Sequence, residues 1–189
     1  MLNCCLANRN LFHPAFAVPT QRVRWPNSIL ENEKKSILTL GQQAKPKVAD
    51  IFAQFGNPPH TLVHNDYMLD NLFFDAADSP FSFAVADWQL FSRGFGMRDV
   101  GSFLGGNVSI EDRRIHEMDL LRLYHGVLAE NGVSGYSFAQ CVEAYRFSMY
   151  DGLLRMVIAI GSGSLREEQE RAHREAIWPR YCAALLDLN

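Results

Sequence analysis

Two short apolar runs, Thr61-Leu62-Val63 and Leu72-Phe73-Phe74, enclose the polar segment from His64 to Asn71, and no other feature of the sequence restricts the fold as much. Each run is too short for a helix, and its β-branched and aromatic residues suit extended backbone. The turn-rich Asp75-Ala76-Ala77-Asp78-Ser79-Pro80 comes next, and from Phe81 to Ala86 aromatic and small residues alternate. This spacing predicts two strands joined as a hairpin and entered through a polar loop. The rest of the chain has to be built around that small β unit.

Most of that remainder reads as helix. Ile29 to Phe55 has helical periodicity, broken or kinked near Pro46, with Ile37, Leu38, Val48, Ile51, Phe52 and Phe55 on its apolar face. Gly56-Asn57-Pro58-Pro59 ends it. Gly94, Gly96, Gly101, Gly105 and Gly106 suggest a loop-rich crossing. Ser109 is a candidate N-cap, with Glu111 and Asp112 in the first turn of a helix. Leu120, Leu121, Leu123, Tyr124, Val127 and Leu128 would form its buried stripe, and Asn131-Gly132 would stop it. Ser137 to Gln140 fits a capping box opening a helix to about Ile160, and a last helix covers Leu165 to Leu188. The expectation is an irregular segment over residues 1–28, where Pro14, Pro19 and Pro26 are closely spaced, followed by one α+β unit over 29–189. That unit is mainly helical around a small β-hairpin.

The chain has 189 residues, 48% hydrophobic and 21% charged, enough apolar material for a packed core. A net charge of -3 argues against a general nucleic-acid binder, which normally carries a basic excess. No apolar run approaches the roughly 20 residues needed to span a bilayer, and the N-terminus lacks the basic start of a secretory signal. Cys4 and Cys5 are adjacent while Cys141 and Cys182 stand alone, with no zinc-type spacing. These features point to a cytoplasmic protein with reduced thiols, without membrane or nucleic-acid partners.

The polar segment carries the chemistry. It reads His64-x-Asp66-x4-Asn71, and Asp87 comes 16 residues later at the end of the second predicted strand. Phosphoryl transfer needs a carboxylate to orient and deprotonate an attacking hydroxyl, and oxygen ligands for the Mg²⁺ that bridges the nucleotide phosphates. A loop entering a hairpin can hold Asp66 at the acceptor and Asn71 at the metal, with the return strand bringing Asp87 alongside. Simpler structural roles compete: Asp66 and Asn71 as turn caps, Asp87 as a strand end, His64 as a core histidine and Trp88 as core. Asp70 is close enough to the metal position to support it indirectly. A hydrolase using His64, Asp66 and Asp87 as ligands would need a further ligand cluster, and none has convincing spacing.

The stretch from Thr61 to Leu104 resembles the catalytic core of the aminoglycoside phosphotransferase, choline kinase and ecdysteroid kinase-like superfamily. His64-Asn65-Asp66-Tyr67 through Asn71 is similar to that superfamily's catalytic loop, and Asp87-Trp88-Gln89 to its metal-binding triplet. Gly94 to Val100 resembles the segment whose Asp braces the loop. The similarity extends over about Ile29 to Leu188, including Leu121 to His125 and Ala144-Tyr145-Arg146. It implies the carboxy-terminal lobe of a protein-kinase-like fold, with ATP and Mg²⁺ as cofactors and a small-molecule alcohol as acceptor. Asp66 would be the base, Asn71 and Asp87 the metal ligands, Phe73 part of the floor under adenine, His64 an organiser of the loop and Asp99 its brace. The acceptor pocket would be built by helices in Ser109–Ile160. The resemblance also implies an amino-terminal lobe with a phosphate-covering loop and a strand-borne Lys, and neither is found upstream of Thr61. The expectation is therefore a truncated phosphotransferase, or an inactive lobe that only binds. On its own it would hold nucleotide weakly, and its uncovered apolar face would favour self-association.

Overall fold

Pro46 divides the first helical region in the computed structural model, which describes residues 25–56, 59–74, 83–162 and 167–188. Helix α1 (Glu31–Ala44) gives way to a 3-10 turn at Lys45–Lys47, and α2 (Val48–Phe55) resumes beyond it. The break lies where a proline ring removes a backbone donor. Ile37 and Phe55 are buried, whereas Leu38 stays largely exposed.

The hairpin forms where the apolar runs placed it. β2 (Leu72–Phe74) pairs antiparallel with β3 (Phe83–Val85), matching Leu72 with Val85 and Phe74 with Phe83. The turn between them, with Asp75 and Phe81, lies outside the described residues, as do Cys4, Cys5 and residues 1–24. Thr61–Val63 is also a strand, β1, and its partner is unexpected: β4 (Ser92–Gly94), with Val63 opposite Ser92 and Thr61 opposite Gly94. The triplet Ser-Arg-Gly has no strand signature of its own, so tertiary pairing decides its conformation.

The glycines after Gly96 are not a loop-rich crossing. Gly101, Gly105 and Gly106 lie inside helix α3 (Met97–Gly106). Contact distance explains the difference. A Cβ on Gly101 would lie 1.9 Å from Ser148 Oγ, and one on Gly105 would lie 2.8 Å from the Tyr181 ring. Gly152 faces the same ring from the opposite side, where a Cβ would come within 2.1 Å. These residues let α3, α5 (Phe138–Ser162) and α7 (Trp178–Leu188) approach closely around Tyr181. Cys141, Tyr145, Met149, Cys182, Ala184 and Leu185 complete the core at this seam.

Helix α4 (Ile110–Glu130) starts as expected, with the Asp112 N–H donating to Ser109 Oγ at 3.0 Å, and is followed by Gly132 at φ +87°. Its buried stripe differs from the expected one. Arg113, Glu117 and Leu121, spaced four residues apart, face inward, while Leu120, Val127 and Leu123 (64% exposed) face out. The inward line tolerates charge because it is satisfied. Arg113 donates to Glu117 at 2.6 Å and to Asp187, and the Tyr145 hydroxyl donates to Glu117 at 3.0 Å.

Helix α5 opens with the expected reciprocal cap, Ser137 N–H to Gln140 Oε1 at 2.7 Å and Gln140 N–H to Ser137 Oγ at 3.2 Å. The final helix is not continuous. α6 (Glu167–Ala172) passes through a π turn at His173–Ile177 into α7. Pro179, without an N–H and with its ring against the carbonyl of Glu175, explains why the spacing widens there. The fold is thus mainly helical α+β with two small antiparallel sheets, and no described helix is long and apolar enough to cross a membrane. Cys141 and Cys182 are free thiols, and burial pushes Cys182 up to about 12.

Candidate active site

The loop from His64 to Asn71 is held by side chains that reach in from three elements. Asp99, in the first turn of α3, accepts the His64 N–H at 2.6 Å and the Asn65 N–H at 2.9 Å, so it braces the loop as the sequence suggested. His64 is buried. Its Nδ1 accepts the Asp66 N–H at 3.3 Å, which leaves Nε2–H to donate to the Ala86 carbonyl at 2.8 Å. With both nitrogens committed, His64 is a strut between loop and hairpin rather than a proton carrier.

Asn65 is the residue that sequence reasoning missed. Its backbone is left-handed, φ 67°, which Asn tolerates better than most side chains. Its amide donates to the Leu90 carbonyl at 2.7 Å and to Ser92 Oγ at 2.9 Å, and its Oδ1 accepts from Arg98 at 3.1 Å. Its carbonyl accepts from Arg155. Both arginines also contact buried Asp151, Arg98 at 3.0 Å and Arg155 at 2.9 Å. The unexpected strand β4 thereby gains a purpose, since it delivers Ser92 to Asn65. The left-handed preference of Asn before an Asp was the only signal available in the sequence; Arg98, Asp151 and Arg155 had none.

The predicted chemical residues are brought together in part. Asn71 Nδ2 donates to the Asp66 carbonyl at 2.8 Å and to Asp66 Oδ2 at 3.2 Å. This commits the amide nitrogen and turns Oδ1 the other way. The Ala86 N–H donates to the Asn71 carbonyl at 2.9 Å, carrying the β2–β3 ladder one step further, and Asp87 is the next residue. Asp87 is left-handed (φ 61°), exposed, and accepts from Gln89 at 3.4 Å. Asn65 and Asp87 are the only non-glycine residues with positive φ among those described, and both belong to this site. Strained backbone concentrates where geometry has to be imposed.

Phe73 lies on β2 with its side chain 59% exposed, opposite Ala84. Asp70 is exposed in the 3-10 turn Leu69–Asn71. Trp88 is not core. It is 41% exposed, donates to the Val85 carbonyl at 2.9 Å and sets its ring edge-on to His64 at 4.7 Å. The described residues contain no cluster of three or more His, Cys, Asp or Glu.

A cleft of about 170 Å³ opens beside Asp66, lined also by Tyr67, Asn107, Arg155, His173 and Tyr181. Its walls come from α3, α5, the π turn and α7, so the expected span Ser109–Ile160 supplies only part of them and α4 supplies none. Asn107, just after α3, fixes the far end of the loop by accepting the Leu69 N–H at 3.0 Å. Burial and then the charge of Asp99 push Tyr67 above the ordinary tyrosine value, and burial does the same for Tyr181.

A family model described as "DUF1679: Uncharacterized oxidoreductase dhs-27" matches residues 25–187. No curated protein and no solved structure matches the chain.

Proposed function

The chain belongs to the DUF1679 family, and from the geometry of its loop we propose that it is an ATP- and Mg²⁺-dependent phosphotransferase acting on a small-molecule hydroxyl. The observation that carries this reading is the pair of hydrogen bonds from Asn71 Nδ2 to Asp66, beside a ladder whose last bond, at Ala86, leads into Asp87. It groups one carboxylate facing a cleft with an amide oxygen and a second carboxylate at the hairpin. The fold in this reading is a protein-kinase-like carboxy-terminal lobe, related to the choline kinase and ecdysteroid kinase-like superfamily.

In the proposed mechanism Asp66 accepts the acceptor's proton and orients its oxygen for in-line attack. Asn71 spends its amide nitrogen on Asp66, so it restrains that carboxylate while keeping Oδ1 as a donor. Two hard oxygen donors, Asn71 Oδ1 and an Asp87 carboxylate, suit Mg²⁺, which takes few protein ligands and completes its shell with water and phosphate. Bound there, Mg²⁺ would neutralise charge on the nucleotide phosphates. Buried Leu72 faces the core, so strand alternation puts Phe73 on the opposite face, where its exposed ring offers one wall to adenine.

Every strand pair among the described residues is antiparallel, whereas dinucleotide sites of the βαβ type need a parallel crossover. The exposure of Phe73 does favour a second reading, an inactive lobe that binds nucleotide without turning it over.

Melting of the chain with and without Mg²⁺-ATP, together with ADP release over a panel of sugar, aromatic and amino alcohols, tests the proposal. A ligand held only by the native state raises the melting temperature. That rise should vanish in Asp87→Ala and persist in Asp66→Asn. ADP release should fall about 10²–10⁴-fold in Asp66→Asn, the usual loss for a positioned acid or base. A melting shift without ADP release selects the binding-only reading. The same shift in Asp87→Ala removes Asp87 from the metal site.

A further inference from the structure

Arg155 looks two ways. It lines the cleft beside Asp66, and from the other side its guanidinium is held by Asp151 at 2.9 Å and by the Asn65 carbonyl. Asp151 is 1% exposed and also carries Arg98, so the guanidinium in the cleft wall is fixed rather than mobile. Asp66 is the single carboxylate among the described residues of the lining. Tyr67 and Tyr181, raised above their ordinary value, stay protonated at neutral pH, and His173 adds no negative charge in either of its states. Met68, Ile177 and the two tyrosine rings make up the apolar part.

Such a cleft penalises charge of either sign. A cation would face Arg155, whose charge is only partly offset because Asp151 is shared with Arg98, and the carboxylate of Asp66 is taken up by the hydroxyl at the reacting end. An anion would face Asp66, and the Arg155 guanidinium is already engaged by Asp151 and the Asn65 carbonyl, which leaves it few N–H groups to receive one. The cleft is also small: about 170 Å³ here, against the roughly 150 Å³ of an apolar cavity that takes benzene.

We propose that the cleft seats the reacting end of an uncharged alcohol, about one ring in size, and that Arg155 is the residue that turns cationic acceptors away. This rests on the phosphotransfer reading only in treating the occupant as an acceptor; the charge selection stands on the lining alone.

Three probes of matched shape test it: 4-methylbenzyl alcohol, 4-(aminomethyl)benzyl alcohol and 4-(hydroxymethyl)benzoate. Binding is followed by NMR of the methionine methyl groups in the full chain, with Met68 in the cleft assigned through Met68→Leu and the remaining methionines as controls. The neutral probe should bind at least about ten-fold more tightly than either charged one, the scale of one unpaired charge facing another at short range. In Arg155→Gln the penalty on the cationic probe should shrink to within about three-fold, and Arg155→Lys, which keeps the charge, should retain the full penalty. A charged probe that binds the wild type as well as the neutral one overturns the proposal. So does a folded Arg155→Gln with unchanged discrimination. If Arg155→Gln does not fold, a folded Arg155→Lys that has lost discrimination overturns it equally. Tight binding of the neutral probe without ADP release would count against phosphotransfer and leave the charge selection intact.

Discussion

The His64–Asn71 loop and the α3–α5–α7 seam adjoin each other but are held in opposite ways. In the seam Gly105 and Gly152 make room for the Tyr181 ring and Gly101 for Ser148, and order comes from close packing. In the loop the backbone is left-handed at Asn65 and fixed by directed bonds to Asp99, Arg98, Arg155 and Ser92. Packing tolerates no added atom, and the bond-held loop tolerates no lost partner. Stability is therefore concentrated in the seam and geometry in the loop, and substitutions in the two regions should separate these properties.

The largest expected effect is in the helical body. Leu121→Ala removes a side chain with no exposed surface and should cost about 2–5 kcal/mol in chemical denaturation, the range for fully buried leucines. A loss under about 1 kcal/mol would mean that the core does not set stability. Gly152→Ala should follow, at about 1–3 kcal/mol for overpacking against Tyr181. The double variant with Tyr181→Leu should recover part of that, because the two positions share one space; additive losses would contradict the packing account.

Asp99→Ala sharpens the other side. It strands the His64 and Asn65 N–H donors, both in part-buried bonds that water can partly replace, at about 1–3 kcal/mol in all. The loss should be local, with hydrogen-exchange protection disappearing at those two amides while the seam keeps its own. A uniform loss across both regions would erase the distinction.

Asp187→Asn should have the smallest effect, and one that depends on pH. Burial alone would raise this carboxyl, but hydrogen bonds from Arg114 and Arg113 outweigh it and hold the group below the usual carboxylate value. A carboxylate depressed in the folded state contributes stability above its unfolded value of about 3.9 and loses it as pH falls through the folded value. Wild type and variant should therefore differ most near neutrality and converge in acid. A gap that widens on acidification would reverse the assignment.

The sequence showed best what local chemistry decides. Pro46 marked the first break, Ser109 and Ser137 marked caps, and the two apolar runs marked strands. Asp66 and Asn71 were legible because the loop they occupy fixes their spacing and Asp99 because of the resembling segment that holds it, and hydrogen bonds join Asp66 to Asn71 and Asp99 to the loop backbone. Features set by distant partners were not legible. The α3 glycines read as loop because the side chains they accommodate, Ser148 at Gly101 and Tyr181 at Gly105 and Gly106, lie far along the chain. The stripe on α4 was misplaced because Arg113 and Glu117 are polar by type yet buried by virtue of Asp187 and Tyr145. The cleft beside Asp66 was only partly legible: Gly152 and Arg155 lie in the expected span, while His173, Ile177 and Tyr181 come from the chain's last third as it returns to α3.

That return sets the order in which the molecule can be made. Tyr181 fills the space between Gly105 and Gly152, so while a ribosome is still adding residues before α7, the two earlier helices have nothing to close upon. The nascent chain must wait with this surface uncovered, a state that invites aggregation, and then fold in one late step. A stalled chain ending at Ile177 should accordingly be cut readily by protease in α3 and α5, whereas a released chain should resist; early resistance in the stalled chain would show that the seam closes without its plug.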